Sequence, residues 1–341
     1  MNKNLDIIIE NSLDDLNPTQ RRVLIDRFGL FSGKSTTLQE IGDKLGITRE
    51  RVRQIEEKSL IKIRSKIAQE AELVLSFGHN HLAKVGGVRE DDLFINDVLN
   101  YFKELTKENI KHANRKLKFI YFVVEKPFYH KEDDNFKSFW YLTEQDKERF
   151  INFVKNLVNL FEKKDRKEIL ENHTHLVYFK DFHSLHAVSI SKHFGLNCFG
   201  DFGLQKWEEI NPRTIRDKIY LVLKKKRKPF HFVDIANEIN RLKFDNKKAH
   251  PQTVHNELIK DDRFVLVGRG IYALREHGYE PGTTLEILIS IFKKYGPLPR
   301  EKVIELVSQK KILKTQTILI NLQNRRYFRR LEDGRYYLKR V

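Results

Sequence analysis

Between Leu16 and Arg64 the apolar positions fall into three helical runs, separated by residues that turn the chain. LNPTQRRVLIDRFGL, from Leu16 to Leu30, reads as an amphipathic helix with Pro18 near its start. Leu38, Ile41 and Leu45 mark a short second helix, and Gly42 sits where another helix must pass close by. Gly46 then supplies the freedom to turn, Ile47 plugs the corner, and Thr48 is a good N-cap for a third helix opening with Arg49 and Glu50. Val52, Ile55, Leu60 and Ile63 stay on the buried side of that helix. Arg49, Glu50, Arg53, Gln54, Glu57 and Lys58 are left on the other. Two short helices about a glycine turn, the second one polar on its free face, predict a helix-turn-helix.

The free face carries groove-reading chemistry. Arg grips guanine with two hydrogen bonds, Gln does the same for adenine, and Glu accepts from cytosine, each good pair being worth about 1–3 kcal/mol of discrimination. The expected DNA-facing set is Thr48, Arg49, Glu50, Arg51, Arg53, Gln54 and Lys58. The segments from Leu16 to Arg64, and above all the string ITRERVRQIE, resemble region 4 of the sigma-70 family, over roughly residues 13 to 66. That resemblance implies promoter reading by the residues matching Arg49, Glu50, Arg53 and Gln54. It also implies a polymerase contact through the helix holding Arg21, Arg22 and Leu24. No segment resembles sigma regions 2 or 3.

The pattern repeats in the C-terminal part. PQTVHNELIKDDRFVLVGRGIYALRE (Pro251 to Glu276) aligns without gaps on TQTILINLQNRRYFRRLEDGRYYLKR (Thr315 to Arg340) at a constant offset of 64 residues. Leu258 meets Leu322, Phe264 meets Phe328, Gly270 meets Gly334 and Tyr272 meets Tyr336. Each copy reads as a helix followed by a β-hairpin turned at glycine, after two further helical segments broken at Pro229 and Pro297. Three helices and a hairpin make a winged helix. The first copy, with RDKIYLVLKKKRKPFHFVDIANEIN and VLVGRGIYALRE, resembles the HARE-HTH family, a module also found in the polymerase delta subunit; the second is a diverged duplicate. Gln252, Thr253, His255 and Asn256 open the expected recognition helix of the first copy, and Arg325, Arg326, Arg329 and Arg330 are expected backbone contacts in the second.

A third winged helix is expected over residues 80–146. DDLFINDVLNYF and KENIKHANRKLKF read as helices, and FIYFVVEKPFYH and FKSFWYLTE alternate like strands. Residues 147–210 begin with an amphipathic helix, FINFVKNLVNLFEKK, and end in the aromatic, glycine-punctuated GLNCFGDFGLQKWEEINP, read as an ordered linker. The expected fold is therefore mainly α, a multi-domain helix-turn-helix and winged-helix array with short β-hairpin wings, divided at 1–79, 80–146, 147–210, 211–278 and 279–341.

Charge sharpens the picture. The chain of 341 residues carries a net +17, distributed as +1 over residues 1–79, zero over 80–210 and +16 over 211–341. A basic excess confined to one portion is the footprint of a polyanion, here double-stranded DNA. The neutral middle argues for protein docking or spacing there. No apolar run is long enough to span a bilayer, the N-terminus lacks a basic start and a cleavage site, and a single cysteine, Cys198, fits a reducing compartment. A cytoplasmic, nucleoid-associated protein is expected.

Three signals mislead. GLFSGKS, from Gly29 to Ser35, has three residues between its glycines where a phosphate loop has four, and it follows a helix. His173, His175, His183, His186 and His193, near Cys198, lack the spacing of a closed zinc site. KKKRK, from Lys224 to Lys228, is either a phosphate clamp or the solvated end of a helix. No metal, no cofactor and no enzymatic activity are expected. The composite implies a DNA-binding transcription regulator at promoters in contact with RNA polymerase; the alternative is a polymerase-associated interaction protein without sequence-specific DNA binding.

Overall fold

The structure, a computed structural model, describes residues 4–102, 110–172, 182–245 and 247–339. It divides into two units, residues 1–195 with 202–205, and residues 196–201 with 206–341.

The first unit opens with α1 (Leu5–Leu13) and α2 (Pro18–Phe28). Asn17 and Gln20 close a capping box at the start of α2, and Gly29 ends the helix in the left-handed region at φ 62°. The loop after Gly29 joins two helices, as its spacing implied, and leads into α3 (Leu38–Leu45), capped by Thr37 and Glu40. Gly46, at φ 66°, turns the chain into α4 (Arg49–Glu70). Next come α5 (Glu72–Lys84), β1 (Val88–Glu90), α6 (Asp91–Tyr101), α7 (Ile110–Val124), β2 (Phe128–His130) and β3 (Phe139–Tyr141). The strands form an antiparallel sheet in the order β1-β3-β2, with both Val88 and Phe128 opposite Tyr141. Helix, strand, two helices and a hairpin are the parts of a winged helix. Its first helix is α5, so residue 79 falls inside an element. Then follow α8 (Glu144–Lys163), α9 (Arg166–Asn172), α10 (Phe182–Ile190), and the pair β4 (Phe194–Leu196) and β5 (Phe202–Leu204).

FIYFVV departs from the sequence expectation. Its alternation suggests a strand, yet residues 119–124 are the last turns of α7. This helix packs against α1, α4 and α6, and Phe119, Ile120, Tyr121 and Val123 are all buried. Burial on several sides overrides the β preference of those side chains. Tyr121 reaches between helices to donate to the Val74 carbonyl at 2.9 Å. It can do so because Gly78 lacks a side chain; a Cβ there would lie 2.3 Å from the Tyr121 hydroxyl. The core is continuous from Leu5 and Ile9 of α1, through Ile63 and Ile67 of α4, to Leu117, Ile120 and Trp140 of the winged helix. The helix-turn-helix keeps a small core of its own, Val23, Ile41 and Val52.

The second unit holds two winged helices. The first is α11 (Ile215–Lys226), β6 (Phe230–His231), α12 (Phe232–Leu242), α13 (Pro251–Lys260), β7 (Phe264–Gly268) and β8 (Ile271–Leu274), with sheet order β6-β8-β7. The second is α14 (Thr284–Tyr295), α15 (Arg300–Lys310), α16 (Thr315–Leu322), β9 (Phe328–Arg330) and β10 (Tyr336–Leu338). The 64-residue repeat is thus structural. Leu258 and Leu322 are both buried, as are Phe264 and Phe328, and both Gly270 and Gly334 have positive φ. Phe230 pairs with Tyr272, and Leu298 bridges to Tyr336 at the equivalent place, each directly after the proline that breaks the helices. The outer edge of β7 is covered by the second module: Ile312 donates to the Val267 carbonyl and Lys311 to that of Leu266, both at 2.8 Å. An otherwise open strand edge is closed.

Candidate nucleic-acid interface

The turn before α4 is built as its glycines imply. A Cβ on Gly42 would lie 2.6 Å from the Ile47 carbonyl oxygen and 3.5 Å from the Arg49 nitrogen, so the corner rests directly on the α3 backbone. Gly46 has open space around it and is required for its left-handed φ alone. Thr48 caps α4 by accepting from the Arg51 nitrogen at 3.2 Å. Behind the corner, Arg27 of α2 lies 3.4 Å from Glu56 of α4. Burial pushes the Glu56 carboxyl up, against the pull of that guanidinium.

Val52 and Ser59 are buried on α4 and Ile55 is partly so. At 100° per residue, Glu50, Gln54, Glu57 and Ile61 occupy the opposite face, flanked by Arg49 and Arg53 on one side and Arg51 and Lys58 on the other. Ile61 is 69% exposed and extends this face. Arg53 grips Glu50 through two hydrogen bonds of 2.7 and 2.9 Å and also contacts Glu57. That grip holds the Glu50 carboxyl below its usual range. Arg51 donates to Gln54 at 3.2 Å. Among the described residues the side chains of Arg49 and Lys58 have no hydrogen-bond or ion-pair partner, so they meet an incoming phosphate without first releasing one. Arg53, by contrast, must exchange carboxylates for DNA or dock with Glu50 already oriented.

On α2, Arg22 is exposed and Arg21 half-buried, and they pair with Asp26 and Asp14 at 3.8 and 3.5 Å. Leu24 differs from its expected surface role. It is fully buried in the core, where it holds α2 and touches no partner.

In α13, Gln252, Thr253 and Asn256 are exposed, and Gln252 donates to Asn256 at 3.2 Å. His255 is not equivalent to them. Its ring stacks on Phe232 at 4.5 Å and meets Tyr272 edge-on at 5.9 Å, which makes it a packing residue. In the last module Arg325, Arg326, Arg329 and Arg330 are all exposed. Arg329 and Arg330 are neighbours in β9 and so point to opposite faces of the hairpin. Arg330 bonds the Gly334 carbonyl at 3.2 Å, while Arg325, Arg326 and Arg329 have no carboxylate partner among the described residues. Sequence reasoning passed over Arg269. It is exposed at the two-residue turn between β7 and β8, and the glycines on either side were the available signal.

KKKRK is neither a clamp nor merely solvated. Lys224 pairs with Glu209, Lys225 with the buried Asp201 at 2.6 Å, and Lys226 with Glu238 at 2.8 Å. Two of these lysines anchor the glycine-punctuated stretch to α11. The Glu238 carboxyl is lowered to about 2, first by Arg241 and then by Lys226. A folded-state value below the ordinary 4.5 stabilises the fold above that pH, and the gain is lost as pH falls toward 2. Melting temperatures of wild type and Glu238→Gln should therefore differ above pH 5 and converge toward pH 2. Parallel curves would contradict this.

The histidines do not converge as a ligand set among the described residues. His186 is buried against the Arg89 guanidinium, and Arg89 also holds Asp97 at 2.8 Å. His173 and His175, and the side chain of His183, lie outside the described residues.

Comparison with known proteins agrees with this geometry. The family profile for Sigma-70, region 4 matches residues 12–65, and that for HARE-HTH, a restriction endonuclease HTH domain, matches residues 213–277. The RNA polymerase sigma factor SigA of Microcystis aeruginosa is 54% identical over 56 residues, which are 16% of this chain and 14% of that protein. SigA of Synechocystis sp. is 54% identical over 56 residues, covering 16% and 13%. SigA of Nostoc sp. is 52% identical over 56 residues, covering 16% and 14%. The match spans about one seventh of these sigma factors. Residues 12–65 are thus a sigma-70 region 4 segment, and residues 213–277 a HARE-HTH segment, within a mainly α chain of helix-turn-helix and winged-helix modules.

Proposed function

We propose that the protein is a DNA-binding transcription regulator that acts at promoters in contact with RNA polymerase. The observation that carries this is the face of α4. Glu50 and Gln54 stand on its groove side with Arg49 and Lys58 uncommitted at its flanks, in a segment like those of proteins named RNA polymerase sigma factors. Gln54 and Glu50 would select bases, and Arg49, Arg53 and Lys58 would hold phosphate or guanine. The +16 C-terminal portion would add sequence-independent affinity through Arg325, Arg326 and Arg329. Arg21 and Arg22 on α2 would contact polymerase.

One observation favours the alternative, an interaction protein without base reading. The third helix of the first unit's winged helix, the position from which a helix-turn-helix reads a groove, is enclosed by α1, α4 and α6. That module serves as a brace for α4 and not as a reader. Salt separates the two proposals. Affinity for duplex DNA should fall with rising salt, with a log–log slope of about 0.9 per neutralised phosphate. Arg325→Ala and Arg329→Ala should each reduce the slope by about that amount, equally on every sequence. A slope near zero, with binding to polymerase retained, would move the assignment to the interaction protein.

A further inference from the structure

A cleft of about 360 Å³ opens between the helix-turn-helix and the winged helix of the first unit. Arg27 and Phe28 of α2 and Ser35 of the following loop form one side; Arg115, Phe119 and Phe122 of α7 form another; Tyr129, Trp140 and Asp91 complete it. DNA reading uses none of these side chains. Two aromatic rings face outward from different elements: Phe122 is 49% exposed and Tyr129 43%. Both are backed by rings, Phe122 by Phe28 at 5.5 Å and Tyr129 by the buried Trp140 at 4.7 Å. Such stacked pairs form rigid flat walls, and the volume lies within the range of small-molecule sites.

The charges of the cleft are unequally committed. Asp91 is satisfied by Trp140 Nε1 and Lys118 Nζ, both at 2.8 Å, and Lys118 also holds Asp92 at 2.9 Å. Arg115 has no hydrogen bond and no ion pair from its side chain among the described residues. Its guanidinium lies over Gly29, where a Cβ would come within 2.8 Å of Nη1. The missing side chain leaves it room. Arg27 adds an enclosed Nε–H that makes no hydrogen bond and has only the ion pair to Glu56 at 3.4 Å. A half-buried, uncommitted guanidinium beside exposed aromatic rings suits a ring system with one negative charge.

We propose that this cleft binds a small planar aromatic molecule bearing one anionic group, with the ring on Phe122 and Tyr129 and the anion on Arg115. The site does not depend on what α4 reads. Titration of the full chain with 8-anilinonaphthalene-1-sulfonate tests it, against N-phenyl-1-naphthylamine, the same ring system without the sulfonate. The sulfonate should occupy one site and bind at least tenfold more tightly than the neutral probe. Arg115→Gln should abolish that difference, and Phe122→Ala should weaken both probes. Both residues are part exposed, so the variants should melt with the wild type; if Phe122→Ala does not, Tyr129→Ser is measured in its place. Equal affinity for the two probes, or sulfonate binding unchanged in either variant, overturns the proposal.

Discussion

Gly42→Ala is expected to destabilise the first unit by about 2 kcal/mol and to abolish binding of duplex DNA through α4. On an exposed helix surface the same change would gain about 1 kcal/mol, because alanine restricts the unfolded chain and favours the helix. Here the new methyl group would sit 2.6 Å from the Ile47 carbonyl oxygen. That oxygen is backbone and cannot swing aside as a side chain could. The Gly46 corner must move outward, and α4 moves with it. Overpacking of this kind costs about 1–3 kcal/mol, enough to outweigh the helix gain. Chemical denaturation checks the stability and DNA titration the function. A variant more stable than wild type would show that the corner does not rest on α3.

Glu50→Ala and Gln54→Ala are expected to lower discrimination between a preferred site and random duplex by about tenfold or more each, corresponding to the 1–3 kcal/mol of a base-edge pair. Their effects on overall affinity should diverge. Glu50 repels phosphate and engages Arg53 through two hydrogen bonds, so its removal should tighten binding to random duplex. Gln54 is uncharged, and its removal should leave random-duplex binding nearly unchanged. Competition titrations at fixed salt separate the two. If Glu50→Ala loosened all sequences alike, Glu50 would be orienting Arg53 toward phosphate and reading no base.

The parts of this fold legible in the sequence are those decided by local chemistry. Gly42, Gly46 and Thr48 announce a close approach, a left-handed turn and a cap through residue type alone, and each has that role. The repeat was legible because two copies share one register. What stayed hidden depends on partners distant in sequence. The residues of FIYFVV look like a strand until α1, α4 and α6 are known to surround them. Leu24 sits on a helix whose family resemblance implies a partner, yet it faces the protein's own core. His255 could not be told from a base reader without Phe232 and Tyr272 beside it. The lysines of KKKRK look free until Glu209, Asp201 and Glu238 fold back on them.

Selection of binding sites from random duplex DNA tests the central claim most directly, using the full chain beside a variant with Glu50 and Gln54 both changed to Ala. A defined motif that the wild type enriches and the variant does not would establish α4 as the reader. A motif that survives in the variant, or no motif at any salt concentration, would contradict it.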